Sequence, residues 1–88
     1  MTFDQIQQVA LEVIDSQLGL GGAALNFSAD SRLHGYLPQF DSMAVVGIIA
    51  GLESRLNFDF PETELEGAVF ETVGSLVRTV AHVLENTK

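Results

Sequence analysis

Residues 40 to 44 read Phe-Asp-Ser-Met-Ala, and the pair Asp41-Ser42 stands at the junction between a proline-containing loop and a long apolar run. Three kinds of chemistry suit such a pair. Aspartate and serine are both preferred helix caps, so either side chain can accept a bond from an orphan backbone N–H at the start of the helix that follows. A serine hydroxyl can also act as a nucleophile, given a base in reach and donors for an oxyanion. A hydroxyl exposed on the first turn of a helix is, thirdly, a place to build a phosphodiester, which would sit in the positive field of the helix N-terminus.

The nucleophile has little around it. The flanks are not Gly-x-Ser-x-Gly, and neither His34, in a polar loop, nor His82, on the last predicted helix, sits in a motif that would recruit a base to Ser42. The chain has no cysteine, which excludes a disulfide framework, a thiolate metal site and a cysteine nucleophile. The sequence therefore nominates no catalytic residue and no metal ligand. Twelve carboxylates face four Lys and Arg residues, a formal charge of −8, which disfavours a nucleic acid ligand and favours basic protein surfaces. No basic start followed by an apolar stretch opens the chain, and no segment approaches about 18 uninterrupted apolar residues, so a cytoplasmic protein without membrane insertion is expected.

The elements that must position Ser42 follow from periodicity. At 88 residues, 47% of them hydrophobic, with two prolines and eight glycines, residues 1–88 are expected to fold as a single domain, burying about 60% of the surface of the unfolded chain. Thr2 with Gln5 fits a capping box, and Phe3, Ile6, Ala10, Val13, Ile14 and Leu18 recur at helical spacing, predicting a helix over 3–18 that Gly19, Gly21 and Gly22 terminate. From Gly19 to Asp41 no period emerges. Leu25, Phe27, Leu33, Tyr36, Leu37 and Phe40 are the expected anchors of that loop, with Asp30, Ser31 and Arg32 in water and room for a short helical turn.

After Ser42 a second helix places Val45, Ile48, Ile49, Leu52 and Leu56 on a core face. Its other face, Met43, Val46, Gly47, Ala50 and Ser54, is apolar or small where an acidic protein would ordinarily show charge. That face is either more core or a surface for a partner. Pro61 can open a short turn through Thr63, Glu64, Leu65 and Glu66, and Thr72 can cap a last helix with Val73, Leu76, Val77, Val80, Ala81 and Leu84 on its stripe. No strand pair joined by a hairpin turn is evident. The predicted fold is all-α: a small bundle of three main helices plus one short helix, with a long loop between the first two, and monomeric because no heptad run supports a coiled coil.

These residues resemble the acyl carrier proteins and the related peptidyl carriers. The shared signature is Asp41-Ser42-Met43 at the start of the second helix, accompanied by Asp30-Ser31-Arg32-Leu33 upstream, Leu52-Glu53-Ser54-Arg55-Leu56, Phe58-x-Phe60-Pro61 and Val69-Phe70-Glu71-Thr72-Val73-Gly74-Ser75-Leu76. Their order and spacing match those of carrier proteins across nearly the whole chain. The resemblance implies that Ser42 carries a covalent 4'-phosphopantetheine placed by a phosphopantetheinyl transferase, with Asp41 in a supporting role, and that the protein holds acyl groups as thioesters for acyl-loading and acyl-accepting enzymes without being an enzyme itself.

By the same resemblance, the partner-recognition face is Met43, Val46, Gly47, Ala50, Glu53 and Ser54. Here the sequence departs from the fatty-acid members, which carry more carboxylates on this helix; only Glu53 remains, and Gly47 and Ser54 stand where acids are common. A hydrophobic contact with a specialised partner is the expectation. The wording of residues 37 to 43, Leu-Pro-x-Phe-Asp-Ser-Met, is similar to that of carriers associated with bacterial exopolysaccharide and exosortase systems. Val45, Ile48, Ile49 and Leu52, with Leu76, Val77 and Val80, are expected either to line a cleft for an acyl chain or to form a close-packed core. A peptidyl or aminoacyl carrier, and an unmodified helical adaptor with Ser42 only as a cap, stay open as alternatives.

Overall fold

The computed structural model describes residues 1–35, 37, 40–65 and 67–86. Helix α1, Phe3–Leu18, begins where Thr2 and Gln5 close a capping box: the Thr2 hydroxyl accepts the Gln5 N–H at 3.2 Å and Gln5 Oε1 accepts the Thr2 N–H at 2.8 Å. It ends at Gly19, whose φ of 63° is the left-handed geometry that glycine adopts without a side-chain clash. Helix α2 spans Ser42–Leu56 and helix α3 spans Val73–Glu85, the latter opened by a second capping box between Thr72 and Ser75.

Short 3-10 turns fill the connections at Ala23–Asn26, Glu62–Glu64 and Gly67–Phe70. The turn expected after Pro61 is therefore present over Glu62–Glu64, with Glu66 outside the described residues, and a further turn follows it that the periodicity did not announce. The all-α architecture with a long first loop is as expected.

Helix α1 packs against both α2 and α3. The approach to α2 is close at Gly51, where a Cβ would come within 2.7 Å of Val13 Cγ1, so the small residue sets the crossing. Arg55 of α2 donates to Glu12 of α1 at 2.6 Å on the outer side of the same contact. The core holds Ile14, Leu33, Ile48, Leu52, Val73, Leu76, Val77 and Val80, all fully buried, and no polar side chain is buried among the described residues.

The long loop is anchored twice. At its start the Asp15 carboxylate accepts the Gly22 N–H with both oxygens, at 3.0 and 2.9 Å, and the Ala24 N–H at 3.0 Å. Further on, a backbone ladder joins it to the head of α3: Leu33 N–H to Glu71 O at 2.8 Å, His34 N–H to Phe70 O at 3.0 Å, Val73 N–H to Ser31 O at 2.9 Å and Gly74 N–H to Ala29 O at 2.7 Å. The last two satisfy donors that a helix N-terminus leaves without intrahelical partners.

Of the expected loop anchors, Leu33 and Phe40 are buried and Phe27 and Leu37 partly so. Leu25 is exposed and Ala24 is buried in its place, because the 3-10 turn presents the smaller residue to α1. Tyr36 lies outside the described residues. Asp30 and Arg32 are exposed and Ser31 half-buried, its hydroxyl accepting the Ser28 N–H.

Candidate functional site

The two candidates at the head of α2 do different things. Asp41 is the N-cap: its backbone is extended, and its Oδ1 accepts the Ala44 N–H at 2.9 Å. Ser42 is the first helical residue, exposed, and its hydroxyl has no hydrogen-bond partner among the described residues. No carboxylate follows in the first turn of α2, where the capping Asp41 opposes the positive end of the helix.

Beside Ser42 opens a cleft of about 460 Å³ lined by His34, Asp41, Ser42, Val45, Leu65, Gly67 and Phe70. Three segments far apart in sequence build it. The loop delivers His34 through its backbone bond to Phe70, α2 delivers Ser42 and Val45 one turn apart, and the turns before α3 deliver Leu65, Gly67 and Phe70.

The residues expected either to line a cleft or to form a close-packed core divide between the two. Ile48, Leu52, Leu76, Val77 and Val80 are fully buried in the close-packed core and do not reach the cleft, because α2 and α3 both close on α1; of the predicted set only Val45 lines it. Leu65, Gly67, Phe70 and His34 were not assigned to the site from sequence. Phe70 lies in a stretch that carried the family resemblance, yet nothing local in sequence puts it beside residue 42.

On the outer face of α2, Met43 is 79% exposed and Val46 63%, and Ala50 and Ser54 are exposed as well. This surface is apolar without being core. Gly47 is half-covered by the Gln17 side chain of α1, whose end occupies the space a Cβ would need. Glu53 turns elsewhere: its Oε2 accepts the Phe60 N–H at 2.7 Å and fixes the chain leaving α2. The exposed part of the predicted partner face is thus Met43, Val46, Ala50 and Ser54, with no carboxylate among them.

Of the remaining candidates, His82 is on α3, faces Glu64 at 3.6 Å and is not among the described residues that line the Ser42 cleft. Among the described residues no group of three or more His, Asp or Glu side chains could hold a metal ion, and no helix is long and apolar enough to cross a membrane.

A small three-helix bundle with an exposed serine at the head of its second helix is the architecture to be compared. The structure matches a holo acyl carrier protein from Nitrosomonas europaea determined by NMR in solution, with a TM-score of 0.86 and 36% identity over 92% of this chain and 98% of that one. No family model and no curated protein matches the chain. Identity at that level over nearly the full length of both chains shows that the chain belongs to the acyl carrier protein family.

Proposed function

We propose that the chain is a single carrier domain whose Ser42 bears 4'-phosphopantetheine. The observation that carries this reading is the division of labour at the head of α2: Asp41 makes the cap, and Ser42 is left exposed, its hydroxyl without a hydrogen-bond partner among the described residues, on the wall of a cleft. These residues fit the group. The hydroxyl is accessible to a transferase, the helix end favours an added phosphate, and the cleft beside it offers Val45, Leu65 and Phe70 as apolar wall for whatever the arm carries.

In the attachment step Ser42 Oγ bonds to the pantetheine-bearing phosphorus of coenzyme A. The P–O bond of the pyrophosphate breaks, adenosine bisphosphate leaves, and the hydroxyl proton passes to a base on the phosphopantetheinyl transferase. Asp41 caps the first turn of α2 beside Ser42, and by the family resemblance its carboxylate would help to position the transferase's metal ion. When bound, the arm supplies the thiol that the cysteine-free chain lacks, and that thiol holds an acyl group as a thioester. Chemistry on the acyl group belongs to the loading and accepting enzymes.

Docking of those enzymes is assigned to Met43, Val46, Ala50 and Ser54, with Gly47 lowering the surface between them; Glu53 serves the fold instead. The apolar character of this face suits a partner that supplies a hydrophobic contact, as in a specialised acyl or polysaccharide-related pathway, rather than one relying on charge alone.

Absence of cysteine makes the test direct. Incubated with coenzyme A, magnesium and a broad-specificity transferase, then freed of small molecules, the protein should titrate with one thiol per chain, and the Ser42→Ala variant with none. A thiol on both would move the attachment elsewhere. A thiol on neither would favour an unmodified adaptor that binds through the Met43 to Ala50 face.

A further inference from the structure

The Ser42 cleft contains a group that neither the helix cap nor the attachment step uses, His34. Its backbone is tied to the turn leading into α3, His34 N–H to Phe70 O at 3.0 Å and Leu33 N–H to Glu71 O at 2.8 Å. Its ring stands edge-on to Phe40, centroids 6.5 Å apart and planes at 78°. Phe40 in turn packs on Phe70 at 6.1 Å, and both phenyl rings are buried. The imidazole, itself exposed, is therefore carried on a firm aromatic support into the wall it shares with Asp41 and Ser42.

Charge gives that position a meaning. Arg55 is paired with Glu12, Arg32 lines a separate cleft with Phe27 and Asp30, Arg78 lies beside Gly74 on α3, and His82 faces Glu64. Among the described residues lining the Ser42 cleft, His34 is the one group able to carry positive charge and Asp41 the one carboxylate. Val45 from α2, Leu65, Gly67 and Phe70 from the turns, and Phe40 beneath the ring bring no charge. A phosphodiester on Ser42 adds negative charge beside Asp41 on a chain already at −8, and an imidazolium on the same wall offsets it.

We infer that His34 is a positioning residue for the arm: when protonated it pairs with the phosphodiester at Ser42 and draws the root of the arm toward the Leu65 and Phe70 side of the cleft. This rests on Ser42 as the attachment point and adds to it a contact that depends on the imidazole's charge.

Phosphorus NMR of the loaded protein tests it. A phosphodiester has no ionisation of its own between about pH 5 and 8, the window in which histidine changes charge, so an inflection of its resonance there reports a neighbouring group. The expected result is a sigmoidal shift in the loaded native protein, the same shift in loaded His82→Gln, and a flat trace in loaded His34→Gln. A flat native trace overturns the inference, as does an inflection that survives in His34→Gln or vanishes in His82→Gln, and each of these leaves the attachment site standing. An intact mass showing no arm on the native protein would instead sink the attachment reading and the inference with it. The native and His82→Gln traces retain their force even if His34→Gln disturbs the loop.

Discussion

Asp41 Oδ1 lies 2.9 Å from the Ala44 nitrogen and so makes the capping bond that its neighbour Ser42 could also have made. The two residues therefore separate in their consequences. Asp41→Ala should lower stability by about 1 kcal/mol, the usual loss for an N-cap, whereas Ser42→Ala should stay within about 0.5 kcal/mol, as for an exposed side chain without partners. Urea denaturation of the two variants checks this, and a larger loss for Ser42→Ala would return the cap to the serine.

Asp15 fixes the start of the long loop by accepting two backbone N–H groups, from Gly22 and Ala24. Asp15→Ala leaves both donors without that acceptor and should cost about 2 kcal/mol, given the strength of hydrogen bonds to a charged group. Hydrogen exchange should accelerate first at the Gly22 and Ala24 amides, ahead of those in the middle of α1.

The pattern of what could be read ahead of the structure follows the range of the interactions. Helix α1 was legible because its signals are local: Thr2 and Gln5 box its start, and Gly19 supplies the left-handed residue at its end. The Asp41-Ser42 pair was legible as a site, but both residue types cap helices, and only the geometry assigns the bond to Asp41. The family resemblance placed Glu53 on the partner face, and nothing in the sequence signals that its carboxylate also accepts the Phe60 N–H seven residues on. His34 was legible from sequence as a loop residue but not as a neighbour of Ser42. Its position depends on a backbone pairing with Phe70, and no periodicity in a loop reports a contact between segments so far apart.

Val46 is exposed on the outer face of α2 and makes no core contact that the fold needs. Val46→Asp should leave the denaturation midpoint nearly unchanged, while a charge placed in an apolar contact should lower kcat/KM for arm transfer by about tenfold, equivalent to about 1.4 kcal/mol of lost transition-state binding. Equal loading rates for the variant and the native protein would remove this face from transferase docking.

The Arg55 guanidinium bonded to Glu12, with Gln8 as a second donor, holds the Glu12 carboxyl below the usual carboxylate range. A carboxyl lowered in the folded state contributes stability that is present above its unfolded value and lost as pH falls through the folded one. The contribution is small because the pair is exposed to solvent and salt. Glu12→Gln should therefore lose slightly less stability than the native protein between neutral and acid pH, and added salt should shrink the difference; an acid limb of equal slope would leave the pair without thermodynamic weight.

Everything proposed for this chain depends on one covalent arm at Ser42. Intact-protein mass after incubation with coenzyme A, magnesium and transferase, followed by fragmentation of the modified chain, tests it most directly. The expected result is a gain of one phosphopantetheine, located to Ser42 by the fragments, and no gain in Ser42→Ala. An unmodified native chain in a reaction where a control carrier is loaded, or an arm located on another serine, would contradict it.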